Sequence, residues 1–250
     1  MRKIHFILIF LFAFVFQTNA QDVNKTDAQG RKQGSWQKFH PNGKLRYKGQ
    51  FKDDKPIGTF QYYSDEGELI MIMKHDKEIS RAELYYPNGD IKAKGNYVNQ
   101  KKDSIWNYYS AANFKISEEF YIHGIKEGTW KTYYIDGTVA DEKTYVKDFE
   151  NGDWIQYYES GKKSMQATFE NGSLEGKIYF YDEAGNKTME GNYKHDAKHG
   201  AWLKFDEKGQ IIEKDIYIDG QFQGEPKYLP EDEEKIQQDI LEFEDMLPPR

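Results

Sequence analysis

The chain has 250 residues, a formal net charge of −7 and no cysteine, and it is rich in Tyr (19), Gly (21) and Phe (16). Without cysteine there is no disulfide framework, and the acidic, evenly mixed charge leaves no basic stripe to track a nucleic-acid backbone or an anionic bilayer. Aliphatic runs are scarce beyond the first twenty residues, so a thin all-β structure is expected rather than a deep core.

The first element is residues 1–20. Arg2 and Lys3 precede a nearly unbroken apolar stretch, Ile4–Phe16, and Thr18-Asn19-Ala20 ends on a small residue. This is the pattern of a secretory signal peptide cut after Ala20. The apolar run of about 13 residues is short of the roughly 20 that span a bilayer, so no transmembrane segment is expected after cleavage. Losing Arg2 and Lys3 leaves 33 basic against 42 acidic residues, a balance of −9. An exported chain without disulfides points to a bacterial periplasm, cell surface or exterior.

Residues 21–33 form a lead-in, where Gly30-Arg31-Lys32-Gln33-Gly34 echoes Gly124-Ile125-Lys126-Glu127-Gly128 as an opening half-unit. From 34 to 224 the chain repeats. Gly43, Gly67, Gly89, Asn113, Gly137, Gly161, Gly185 and Gly209 recur every 24 residues, except for one step of 22 between Gly67 and Gly89. Four residues before each anchor stands an aromatic residue, from Phe39 to Phe205. Seven before it lies the row Trp36, Phe60, Ala82, Trp106, Trp130, Trp154, Ile178, Trp202, which holds every Trp of the chain. Eight after it, seven of the eight residues are aromatic, His75 being the exception.

Each unit reads as a β-hairpin. An aromatic stretch meets a turn such as Pro41-Asn42-Gly43, in which Asn-Gly is expected to take positive φ at both residues, and a second stretch follows. Further turns at His123-Gly124, Asn171-Gly172 and Asp219-Gly220 lead into the next unit. The fold class expected is all-β: an elongated single-layer antiparallel sheet of about eight 24-residue hairpin repeats, or about 16 strands and roughly 75 Å of sheet. On a regular strand the Trp row and the all-aromatic row face opposite sides. The second member of each aromatic pair (Tyr62, Tyr86, Tyr108, Tyr134, Tyr158 and Phe180) has the parity of the Trp row. These six are the candidate partner-binding residues, because rings left open on a sheet serve glycans and proteins alike.

Residues 225–250 carry 9 acids and 3 bases, and Ile236, Ile240, Phe243 and Leu247 are spaced as one helical face. A short C-terminal helix capping the last hairpin is expected there; an acidic partner-binding tail is the other reading.

The unit, G-x-W-x-x-Y-x-x-x-G-K with a later Tyr and a second Gly turn, resembles the MORN-repeat variant found in bacterial proteins labelled YwqK-type antitoxins. Residues 128–137 and 152–161 match it best; Ser80 and Ser104 replace the opening Gly, and Ala82 replaces Trp. The resemblance implies a hairpin array used for interaction rather than catalysis. Short aromatic hairpins with a W-x-Y-Y core are also similar to choline- and glucan-binding repeats, whose units run nearer 20 residues.

No catalytic, metal or cofactor constellation is nominated. His195 and His199 fall in a turn and read as a solvated pair, and acidic pairs such as Asp53-Asp54 and Glu118-Glu119 lack a nearby His. The function expected is a non-enzymatic interaction scaffold for an envelope or extracellular protein. The alternatives are a carbohydrate- or wall-binding array, or a literal antitoxin that neutralises its toxin by binding.

Overall fold

The computed structural model describes residues 23–224; the signal peptide and the C-terminal helix expected from sequence lie outside them. These residues form one open antiparallel sheet of 21 strands, with no helix among them. Each strand pairs with its neighbour in sequence, so the chain is a continuous meander. Repeats are numbered 1 to 8 here by their anchors, Gly43 to Gly209.

The strand number exceeds sixteen for two reasons. A two-residue strand, Lys25–Thr26, opens the array and Gln221–Gly224 closes it. In repeats 5, 7 and 8 the first strand is interrupted just before Gly128, Gly176 and Gly200. These opening glycines have φ of 64°, 75° and 75°, a bulge conformation that costs an L side chain strain. Ser104 adopts the same conformation at φ 60°. Ser80 does not. Repeat 3 is the unit shortened by two residues, and its first strand pairs with the preceding one without a register shift.

The anchor turns differ from the sequence expectation. In each, the residue three before the anchor receives a hydrogen bond from the anchor N–H, as in Gly43 N to His40 O at 2.9 Å. His40 N in turn donates to Lys44 O at 2.8 Å, closing a three-residue loop. Only the anchor then needs positive φ, and Asn42 does not take it; this is a type I turn with a left-handed third residue. Asn113 satisfies the same requirement at φ 64°. The second turns use positive φ at both positions, as at His123 and Gly124 or Asn171 and Gly172, except at Lys77-Glu78, where only Lys77 takes it.

Burial is concentrated on one side, here the front face. The Trp row alternates there with the row eight after the anchor to make a spine of rings. Trp36 meets Phe51 at 5.8 Å between centroids, Phe51 meets Phe60 at 5.1 Å, and Trp202 meets both Tyr193 (5.3 Å) and Tyr217 (6.2 Å). His75 takes one spine position against Phe60, and burial lowers its pKa. Each fully buried ring contributes roughly 1.5–3 kcal/mol.

A third row makes this packing possible. Gly49, Gly95 and Gly191, six residues after their anchors, have no positive φ; their role is steric. A Cβ on Gly95 would lie 2.4 Å from the Trp106 ring, and one on Gly191 would lie 2.3 Å from Trp202. The ring of the following repeat therefore rests directly on the glycine backbone. Phe60 and Trp106, each on such a glycine, are the largest fully buried side chains among the described residues. Trp130 and Trp154 follow strands with Glu119 and Lys143 at the matching position, and remain half-buried.

Candidate interaction surfaces

The front face is largely sealed. Each of the five tryptophans has a lysine ammonium within 5.0 Å of its ring centroid: Lys32, Lys102, Lys126, Lys143 and Lys198. Such cation–π contacts are worth about 0.5–2 kcal/mol. The indole N–H groups are also engaged. Trp106, Trp130 and Trp202 donate to the backbone carbonyls of Asn96, Phe120 and Asn192, and Trp154 donates to Asp141 Oδ1 at 2.6 Å. Around Trp106, Lys102 donates to the Tyr108 hydroxyl, and Tyr121 donates to Glu119 at 2.8 Å. Burial, then Glu119, raises the pKa of both tyrosines, and burial lowers that of Lys102.

All six candidate aromatics lie half-buried, and they separate into two rows. Tyr62, Tyr108 and Phe180 stand five before their anchors, beside the spine. Tyr62 contacts Tyr47 (5.9 Å) and Phe60 (6.1 Å), Tyr108 contacts Trp106 (6.2 Å), and Phe180 packs on the cluster that holds Met165. Tyr86, Tyr134 and Tyr158 stand three before their anchors, at the turn. Their hydroxyls donate to the carbonyls of Tyr109 (3.0 Å), Tyr157 (2.7 Å) and Tyr181 (2.6 Å), each one repeat onward.

This bond is one rung of a ladder. His40 Nε2 reaches Tyr63 O at 2.9 Å in the same way, Asn42 and Asn88 reach Asp65 O and Ala111 O, and Lys44 and Lys162 reach Glu66 O and Ala184 O. The turn residues thus tie each repeat to the next, a pairing of rows that no single unit reveals.

The back face is different. Val98, Ile122 and Val146 each follow a front-facing spine tyrosine, so they point backward. Cross-strand register places Ile79 beside Val98, Ile125 beside Ile122, and Phe149 beside Val146. Lys101, paired with Val98, is the one charged residue in the run. The result is an apolar stripe along the second-turn side of repeats 3 to 6, about 30 Å long at ~4.8 Å per strand. Ile122 is 47% exposed and Phe149 is 60% exposed. Of the sixteen exposed large hydrophobic residues among the described residues, eight fall between Ile105 and Phe149. Sequence reasoning missed the stripe because its members belong to two rows that become adjacent only through register.

Among the described residues no three His, Asp or Glu side chains are placed to hold a metal ion. His195 and His199 are not a solvated pair. His195 is exposed and lies 3.1 Å from Glu175, whereas His199 is buried and lies 3.3 Å from Asp219. The two line a concavity with Glu170, Asn171, Asn192 and Tyr193.

Among solved structures, TarM of S. aureus in complex with Fondaparinux, alpha-GlcNAc-glycerol and UDP is similar over 38% of this chain and 19% of its own, at 12% identity and TM-score 0.30. The Tc holotoxin pore of Photorhabdus luminescens is similar over 78% of this chain and 12% of its own, at 14% identity and TM-score 0.20. The chain thus spans a fifth or less of either protein, and nothing is carried over from them. No match is found among curated proteins. The MORN repeat variant model matches residues 32–53, 81–99, 126–147, 150–171, 174–195 and 198–219, just over half of the chain. Repeats 2 and 4 are outside the matches yet build the same hairpin. Six matches in the register of the turns and the tryptophan row make the chain a member of the MORN repeat variant family.

Proposed function

We propose that this is an exported, non-enzymatic scaffold that binds a protein in the periplasm or at the cell surface through the back face of repeats 3 to 6. The observation that supports this most is the apolar stripe from Ile79 to Phe149, which no described element covers. Exposed apolar patches of this kind mark protein contacts. Its flanks carry both signs, Lys52 and Asp76 on one side and Glu170 and Lys194 on the other, so the partner is held by apolar contact rather than by net charge. A flat stripe of branched side chains suits an aliphatic helix or sheet face.

The tryptophans make a sugar a poorer fit. A glycan stacks on an open ring face, and here each indole has a lysine above it and its N–H bonded. Of the six candidate aromatics, Tyr86, Tyr134 and Tyr158 tie each repeat to the next at the turns, and Tyr62, Tyr108 and Phe180 pack beside the spine.

The test uses the chain from residue 21 as bait on an envelope fraction, and in parallel on purified wall polysaccharide. One protein should be recovered at stoichiometric yield. The yield should collapse with Ile122→Lys combined with Phe149→Lys, and persist with Tyr134→Ala combined with Tyr158→Ala. Loss with the tyrosine pair alone would move the site to the anchor turns. Retention on polysaccharide without a recovered protein would replace the proposal with a wall-binding role.

A further inference from the structure

Burial on the back face is confined to one repeat. In repeats 1 to 7 the buried residues, such as Phe60, Trp106, Met165 and Ile178, belong to the front-face packing. In repeat 8 the back face is buried as well: Leu203 is 6% exposed, Ile211 7% and Lys214 2%. Leu203 alternates with front-facing Trp202, and Ile211 joins it in a cluster with Ala201 and Phe205. The positions equivalent to Leu203 and Lys214 in the other repeats are all half-buried or exposed. This includes Ile155 and Ile72, so apolar character alone does not produce the burial.

Among the described residues, the elements in extensive contact are neighbours in the meander, and none crosses this face. The described chain ends at Gly224, in the strand paired with the last hairpin, and 26 residues follow. Those residues hold a run with Ile236, Ile240, Phe243 and Leu247 at helical spacing and a charge of −6. The back face of repeats 7 and 8 also carries Lys177 and Lys194, both exposed and of complementary charge.

We propose that residues 231–247 dock on the back face of repeat 8, their apolar side against Ala201, Leu203, Phe205 and Ile211, and cap the C-terminal end of the sheet. A repeat array needs a distinct terminal cap because its last unit lacks a neighbour on one side. An open last strand also invites pairing with other chains. The acidic residues stay outward or meet the lysines. This inference rests on burial in repeat 8 and is independent of the partner stripe in repeats 3 to 6.

The test uses the whole mature chain. Because it contains no cysteine, Gln238→Cys introduces a single attachment point for a nitroxide, on the side of the helical repeat away from Ile240. Methyl NMR signals of Leu203 and Ile211 should be broadened beyond detection, while those of Leu45 and Ile72 stay sharp. Adding Phe243→Asp should restore the Leu203 and Ile211 signals without altering those of repeats 1 and 2. Broadening centred on Ile122 and Ile125 would place the segment on the partner stripe and overturn the proposal. Uniformly sharp signals would overturn it equally, since the segment would then dock nowhere.

Discussion

Gly95→Ala gives the sharpest test of how this single layer is held together. Gly95 is not in the left-handed region, so in an ordinary strand alanine would stabilise it by roughly 0.5–1 kcal/mol. Here the new Cβ would lie 2.4 to 2.6 Å from three atoms of the Trp106 ring. The indole must retreat by about 1 Å to reach ordinary contact. It is 1% exposed and enclosed by Tyr97 at 5.0 Å, Ala82 and Ala93, so retreat disturbs a filled cluster. Overpacking of this kind costs about 1–3 kcal/mol, and stretching the 2.9 Å bond from Trp106 to Asn96 O adds about 1 kcal/mol. After the propensity gain, a net loss of about 1–3 kcal/mol is expected. Urea unfolding followed by tryptophan fluorescence and by far-UV circular dichroism would measure it. A midpoint equal to or above that of the unmodified chain would refute the claim that the glycine row exists to seat the rings.

Three further outcomes are expected. Tyr134→Phe removes one rung between repeats 5 and 6 and should lower stability by about 1 kcal/mol, read as a lower urea midpoint. Ser104→Gly relieves a left-handed serine at φ 60° and should raise stability by about 1 kcal/mol, whereas Ser80→Gly, in a plain strand, should lower it by a similar amount. Burial, then Glu150, pushes the Tyr145 pKa up to about 12, and burial with Glu83 does the same for Tyr85. Between the unfolded value near 10 and about 12 the unfolded chain binds fewer protons than the folded one. Stability from these groups is therefore complete below pH ~10 and lost as pH rises to ~12. Tyrosine absorbance titrated beside urea midpoints would show whether the two curves coincide.

Period, fold class and membership of the family were legible because they depend on local chemistry. A glycine or asparagine every 24 residues marks where the chain must turn left-handed, and aromatic rows mark strands that cannot be buried singly. Sequence named the six candidate aromatics but not their partners: the hydroxyls of Tyr86, Tyr134 and Tyr158 each bond a carbonyl 23 residues onward, and Tyr62, Tyr108 and Phe180 pack beside the spine instead. The two serines in the opening position show the limit most directly. Identical residues replace the same glycine, yet Ser104 is left-handed and Ser80 extended, since the two-residue deletion removes the bulge only in repeat 3. The back-face stripe is similarly a product of register. Ile122 and Ile125 are separated by a turn in sequence and become cross-strand partners in the sheet. Local propensity thus determined that hairpins form and how often. Register, which depends on every turn and bulge before it, decided which rings meet a glycine, which meet a lysine, and which apolar side chains remain open.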